Sequence, residues 1–106
     1  MPPNRPTDVR LTPKALGDLD GIWHYTARTW SPEQADAYID ELSLRFDMLS
    51  ATPEMARERS EFDPPVRILP HRNHLIIYLI GDGRIDIIRI LGGKQDWQAV
   101  LRVIDR

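Results

Sequence analysis

The side chains best able to do chemistry are cationic: Arg67, His71, Arg72, Arg89 and Lys94, all in the second half of the chain. If the apolar runs around them pair as neighbouring strands, they lie on one sheet and its rim. Cations so placed could stabilise a scissile phosphate, which is nuclease chemistry. Arg89 is the most unusual member, because it shares a strand face with Ile85, Ile87 and Leu91, where an unpaired charge is costly. A partner in Asp86, Asp96 or a backbone carbonyl is its structural alternative.

Nucleophilic catalysis needs a Ser, Thr or Cys held beside a base. Ser31 suits a helix cap, while Ser43, Ser50 and Ser60 fall on a polar helix face or in a loop, and no Gly-x-Ser-x-Gly turn surrounds any of them. His71 and His74 flank a turn without a carboxylate cluster, so they read as exposed turn histidines rather than metal ligands, and His24 lies at the flank of a helix. Gly81-Asp82-Gly83 joins two strands rather than a strand and a helix, unlike a phosphate cradle. These residues imply no metal and no cofactor.

The elements that must position these groups follow from punctuation and periodicity. Asp8-Val9-Arg10-Leu11 alternates as a short strand. Thr12-Pro13 reads as a cap and first helical residue. Leu16, Leu19, Ile22, Trp23, Thr26, Ala27 and Trp30 then form one helical stripe. Ser31-Pro32 restarts the chain, with Gln34 at the third position of a capping box and Ala35, Tyr38, Ile39, Leu42, Phe46 and Leu49 as the stripe. With almost nothing between them, the two helices must fold back as an antiparallel hairpin.

Residues 53–65 read as a connecting loop. Val66–Leu69, His74–Ile80 and Ile85–Leu91 read as a three-strand meander, with Pro70–Asn73 and Gly81-Asp82-Gly83 as its turns. The continuous apolar run of the middle strand marks it as central and covered on both sides. Asp96 caps a short last helix bearing Trp97, Val100, Leu101 and Ile104. A hairpin and a sheet bury their apolar faces most simply on each other, giving a two-layer α+β domain on an antiparallel sheet over residues 7–106. Residues 1–6 read as a flexible leader.

Composition narrows the function classes. The 106 residues suit one domain, and 42% hydrophobic with 28% charged residues is ordinary for a globular protein. There is no cysteine, which excludes disulfides. No apolar run approaches bilayer length and no signal peptide opens the chain, so the expected compartment is the cytoplasm. Residues 1–56 carry 5 Lys/Arg against 9 Asp/Glu, and residues 57–106 carry 9 against 7, for the overall −2. A broad nucleic-acid binder would show a strong basic excess. Binding of proteins, not catalysis, is the expected work of this chain.

Several segments resemble one family in the right order. Ala15-Leu16-Gly17-Asp18-Leu19-Asp20-Gly21-Ile22-Trp23-His24-Tyr25 is similar to the A-x-x-D-L-x-x-I-W-x-Y first helix of ParE toxins in the RelE/ParE superfamily. Glu33-Gln34-Ala35-Asp36-Ala37-Tyr38 resembles the opening of their second helix, and Met55-Ala56-Arg57 stands where they often carry P-x-x-G-R. His74-Leu75-Ile76-Ile77-Tyr78 resembles H-x-I-x-Y. Ile88-Arg89-Ile90-Leu91-Gly92-Gly93-Lys94-Gln95-Asp96-Trp97 resembles I-x-R-I-L-H-G-R-Q-D-W, with Gly92 in place of the common His.

The resemblance implies a β-α-α-β-β-β(-α) toxin of a type II toxin–antitoxin system. Its partners would be a ParD-like antitoxin with a ribbon-helix-helix DNA-binding half, operator DNA reached only through that antitoxin, and a cellular target. ParE toxins poison DNA gyrase, whereas RelE relatives cleave messenger RNA on the ribosome. The second option expects strong basicity, an Arg soon after Gly93-Lys94 and a Tyr in the tail. Here Gln95 follows, residues 98–106 hold no Tyr or His, and no general base is expected at the end of the last strand. The expected antitoxin contacts are Trp23, Tyr25, Tyr38, Leu42, Arg67 and Arg72. The expected target contacts are Arg89, Lys94, Asp96 and Trp97.

Overall fold

The computed structural model describes residues 7–102. Helix α1 (Pro13–Thr29) starts where Thr12 accepts a hydrogen bond from the Ala15 amide at 3.2 Å. Helix α2 (Pro32–Ala51) starts where Ser31 accepts one from the Gln34 amide at 3.0 Å. In both, Pro at the start gives up an amide that has no partner within the helix. The single residue-pair junction, Trp30 and Ser31, folds the helices into the expected hairpin.

Strand β1 (Asp8–Leu11) precedes the hairpin. After it come β2 (Glu58–Arg59), β3 (Val66–His71), β4 (His74–Gly81), β5 (Arg84–Gly92) and the short helix α3 (Trp97–Leu101). The β3–β4–β5 meander forms as expected, and Asp82 (φ 53°) with Gly83 (φ 72°) makes the left-handed turn between β4 and β5. The sheet is larger than a meander: its order is β1-β5-β4-β3-β2. β1 pairs parallel to β5, from Asp8 opposite Arg84 to Leu11 opposite Ile87, so the sheet is mixed rather than antiparallel. β2 arises inside the stretch expected to be loop, where Glu58 and Arg59 pair with Arg67 and Val66.

The core has two parts, one on each face of the sheet. Ala15, Ile22, Leu42, Leu49, Leu69, Ile76, Tyr78, Ile85, Ile87 and Ile90 fill the space under the hairpin. Val66, Ile77, Ile88, Leu91 and Leu101 form a second cluster, covered by α3 and by Phe62. β4 therefore supplies both faces, as its uninterrupted apolar run requires. The expected two layers are supplemented by this third, thin one. Fully burying each large apolar side chain contributes about 1.5–3 kcal/mol, so the second cluster matters to so small a chain.

Two expectations about the helix stripe and one about the last strand are corrected. Leu16 and Trp30 are exposed, because the buried row of α1 runs through Ala15 and Ile22 instead. In β5 the register shifts opposite Ile77 and Tyr78, which face Arg89 and Ile87 respectively. That bulge breaks the alternation: Ile85 and Ile87 lie under the hairpin, whereas Leu91 lies in the second cluster, so Arg89 does not share one face with all three. Ile104, assigned to the last helix, and the leader 1–6 lie outside the described residues.

Candidate binding site between the hairpin and the end of β5

A trough runs between the hairpin and the end of the sheet where the β3–β4 turn and the β5–α3 loop meet. Three adjoining cavities of about 320, 310 and 400 Å³ make it up, and Tyr25 and His74 line all three. Trp30, Gln34, Tyr38, Glu41 and Arg72 wall one end. Gly17, Gly21 and Gln95 border the middle, and Asn73, Gly93 and Lys94 the other end. The loop is held in place by its own backbone and one side chain. The Gly93 amide donates to the Asn73 carbonyl at 2.7 Å, and Gln95 Oε1 accepts from the Gly92 amide at 2.6 Å.

A chain of polar contacts fixes the turn to α2. Arg45 Nε donates to His71 Nδ1 at 3.0 Å, and His71 Nε2 lies 3.1 Å from Glu41 Oε1. The pairing of a donor with Nδ1 and an acceptor with Nε2 assigns the Nε2-protonated ring. Arg72 Nε donates to the same Glu41 oxygen at 2.7 Å, and Nη2 reaches the other at 3.3 Å. Arg72 holds the Glu41 carboxyl below its ordinary range, burial opposes this, and His71 adds to the lowering. Beside them the Tyr38 hydroxyl meets His74 Nδ1 at 2.6 Å. Burial, then the neighbouring His71, pushes the His74 imidazole down; burial and then Glu41 push the Tyr38 phenol up, against Arg72. Both groups are thereby kept neutral near pH 7.

These facts correct two readings of the histidines. His71 is only 8% exposed and is the one buried polar residue among the described residues, rather than an exposed turn histidine. An imidazole does stand by the end of the last strand, since His74 is paired directly opposite Gly92. Neither is visible in the sequence, because the burial of His71 comes from its contacts with Arg45 and Glu41 of α2, and the placing of His74 from the β4–β5 register.

The nominated contact residues separate into surface and core. Tyr25 is 62% exposed and lines the trough; Tyr38 is half-buried within it, and Arg72 borders it. Trp23 is half-buried, its indole donating to Asp36 Oδ1 at 2.8 Å across the hairpin. Leu42 is fully buried beneath α2 and offers no surface. Arg67 is engaged elsewhere: it donates to the Ala56 carbonyl at 2.6 Å, and the Tyr78 hydroxyl donates to the Pro53 carbonyl at 2.8 Å. Together they brace the chain where it leaves α2, at the far end of β3 from Arg72.

The second set is also divided. Lys94 is exposed in the trough. Arg89 makes a two-point ion pair with Asp18 of α1, at 2.8 and 2.9 Å, a partner not foreseen from sequence. Asp96 caps α3 by accepting from the Ala99 amide at 3.3 Å. Trp97 packs on Phe62, with ring centroids 6.1 Å apart, and beneath the Arg59 guanidinium at 5.9 Å. It therefore belongs to the second core cluster, not to the trough. Among the described residues no group of three or more His, Cys, Asp or Glu could hold a metal ion, and no helix is long and apolar enough to cross a membrane.

The order of these elements and the residues that join them match known proteins. Residues 9–97 match the model of the ParE toxin of the type II toxin–antitoxin system parDE. The chain is 34% identical over 87 residues to Toxin ParE1 of Mycobacterium tuberculosis, covering 81% of this chain and 89% of that one. It is 34% identical over 92 residues to Toxin ParE1 of Caulobacter vibrioides, covering 87% and 95%. A solved chain from the chromosomal ParDE TA system of P. aeruginosa shares the fold, with a TM-score of 0.72 at 22% identity over 83% of this chain and 97% of that one. On the match across residues 9–97 and these relatives, the chain belongs to the ParE toxin family of type II toxin–antitoxin systems.

Proposed function

We propose that this toxin is a non-enzymatic inhibitor of DNA gyrase in the cytoplasm, held inactive by a ParD-like ribbon-helix-helix antitoxin. The observation that carries the binding reading is the neutralisation of its best-placed cations: Glu41 pairs with Arg72, and Asp18 with Arg89. A phosphodiester-cleaving site needs charge free to meet the developing negative charge of the transition state. An internally neutralised rim around exposed aromatic side chains instead suits a protein surface, where aromatic residues carry much of the binding energy.

The antitoxin then uses the hairpin surface with Trp23, Tyr25, Tyr38 and Arg72, and gyrase meets the loop that carries Lys94. The chain's mildly acidic balance gives it no phosphate-binding footprint of its own, so operator DNA is reached only through the antitoxin. Supercoiling and cleavage-complex assays with purified toxin test the reading. Inhibition relieved by the antitoxin is expected, and no effect at large molar excess overturns it. One feature favours a ribosome-dependent endoribonuclease as the second reading, namely His74 opposite Gly92. Transcript cleavage in translating extracts, abolished by His74→Ala, would establish that reading in place of the first.

A further inference from the structure

Most charged residues that line the trough are already engaged. Glu41 and Arg72 pair with each other, and Asp18 is taken by Arg89 and the Ile90 amide. Among the described lining residues, Lys94 alone carries a charge without an ion-pair partner. The cavity of about 400 Å³ that it shares with Tyr25, Asn73, His74 and Gln95 has no Asp or Glu on its wall, in a chain of formal charge −2.

The neutral groups beside Lys94 are fixed as donors. Gln95 Oε1 accepts from the Gly92 amide at 2.6 Å, which leaves the NH2 end of that side chain free. Gly92 makes this fold possible, since a Cβ there would stand 3.2 Å from Gln95 Oε1, tighter than an ordinary contact. The Tyr38 hydroxyl lies 2.6 Å from His74 Nδ1 but 3.5 Å from the His71 carbonyl. Its single hydrogen therefore goes to Nδ1, and the neutral His74 ring carries its own hydrogen on Nε2. The bond from the Gly93 amide to the Asn73 carbonyl ties the two halves of the pocket together.

We propose that this pocket binds a single carboxylate, with Lys94 supplying the charge and the Gln95 and His74 Nε2 groups the hydrogen bonds. One free cation balances one carboxylate. A nucleic-acid backbone instead brings a run of phosphates, whose binding draws on several cations, and those nearby are closed off by Glu41 and Asp18. Tyr25, 62% exposed on the same wall, suits the apolar flank of an acidic peptide. The target protein supplies the carboxylate if the functional reading above holds; the pocket itself does not depend on it.

The test titrates the full chain with short labelled peptides of one apolar sequence, capped at both ends, that differ only in a central Glu or Gln. The Glu peptide is expected to bind at least about tenfold more tightly. Lys94→Ala and Gln95→Glu are each expected to abolish that preference. Gln95→Glu retains an acceptor for the Gly92 amide, so its effect reports the lost donor rather than an altered loop. Lys14→Ala, which removes the same charge from an exposed site on α1, is expected to preserve the preference. A Gln peptide with a free C-terminal carboxylate distinguishes a chain end from a side chain as the source, and tighter binding of either acid supports the pocket. Equal binding of acids and amides, or a preference that survives Lys94→Ala, overturns the proposal. Displacement of the Glu peptide by a short single-stranded RNA at lower concentration than by unlabelled peptide assigns the pocket to phosphate and also overturns it. Supercoiling assays separate the two readings. Inhibition that Lys94→Ala leaves unchanged overturns the target as the source of the carboxylate. A wild-type chain without effect on gyrase overturns the functional reading, and the peptide titration still decides the pocket.

Discussion

The carboxylate of Asp18 meets the side chain of Arg89 at 2.8 and 2.9 Å and also accepts the backbone amide of Ile90 at 2.8 Å. One side chain thus does two things for β5. It neutralises a guanidinium only 26% exposed, and it satisfies a donor on the strand edge that β1 leaves free beyond Leu11. Thr12 treats the carbonyls of the same edge likewise, its amide donating to Ile87 and its hydroxyl to Ile88, both at 3.0 Å. The first turns of α1 therefore close the edge that the short β1 cannot, and an open edge would invite pairing with another chain.

Asp18→Ala is expected to cost about 2 kcal/mol, since it strands a partly buried cation and a backbone donor together. A double-mutant cycle with Arg89→Ala, read by urea unfolding, should show a coupling of about 1 kcal/mol or more. Additive losses would mean that the pair does not hold α1 to β5. A toxin weakened by Arg89→Ala must accordingly be corrected for lost folding before Arg89 is counted as a target contact.

Gly21 sits inside α1, and a Cβ placed there meets nothing within 4 Å. Gly21→Ala should therefore raise stability by about 0.5–1 kcal/mol through the lost freedom of the unfolded chain. The added methyl group also borders the trough. A higher melting temperature with weaker toxicity would identify the middle of the trough as a contact surface, while unchanged toxicity would remove it.

His74 titrates below its ordinary 6.5 in the folded protein because it is buried and faces His71. The unfolded chain therefore binds the proton more readily, so stability rises with pH across the window between the two pKa values. Acidification from about pH 6.5 downward should erode stability until the lowered pKa is passed. Urea unfolding of wild type and His74→Gln between pH 5 and 7.5 isolates this contribution. A variant with the same pH slope as wild type would assign the slope to other groups.

Leu42 and Tyr25 should behave as opposites. Leu42→Ala opens a cavity in a fully buried site and is expected to cost about 2–5 kcal/mol. Tyr25→Ala, at an exposed position, should change stability by no more than about 0.5 kcal/mol. If Tyr25 contacts the antitoxin, its loss should weaken capture in a pull-down while the melting temperature holds; unchanged capture would take Tyr25 out of that surface.

What could be read in advance was local. The caps at Thr12 and Ser31, the hairpin, the glycine turn after β4 and the Asp96 cap each depend on residues within one turn of each other. What was missed depends on chain segments far apart. The partner of Arg89 lies 71 residues away, and the pairing of β1 with β5 joins opposite ends of the domain. The bulge opposite Ile77 and Tyr78 has no local signal either, and it alone moves Leu91 to the other face. Among the site residues, Tyr25 was placed correctly on the surface because it lies off the apolar stripe. Leu42 lies on the α2 stripe, whose spacing already marks it for the core, whereas the brace that takes Arg67 to Ala56 is a tertiary fact.

The parallel joining of β1 to β5 also orders the making of the protein. Contacts between residues 76 apart, such as Thr12 with Ile88, cannot form until nearly the whole domain has been synthesised. During translation the helical hairpin can assemble early, but its apolar underside has no sheet to rest on until β3, β4 and β5 have emerged. Long-range pairing of this kind is slow because loop closure must come first. Until then the hairpin and the trough's far wall belong to stretches of chain that have not yet met, so the trough is among the last parts of the molecule to be built.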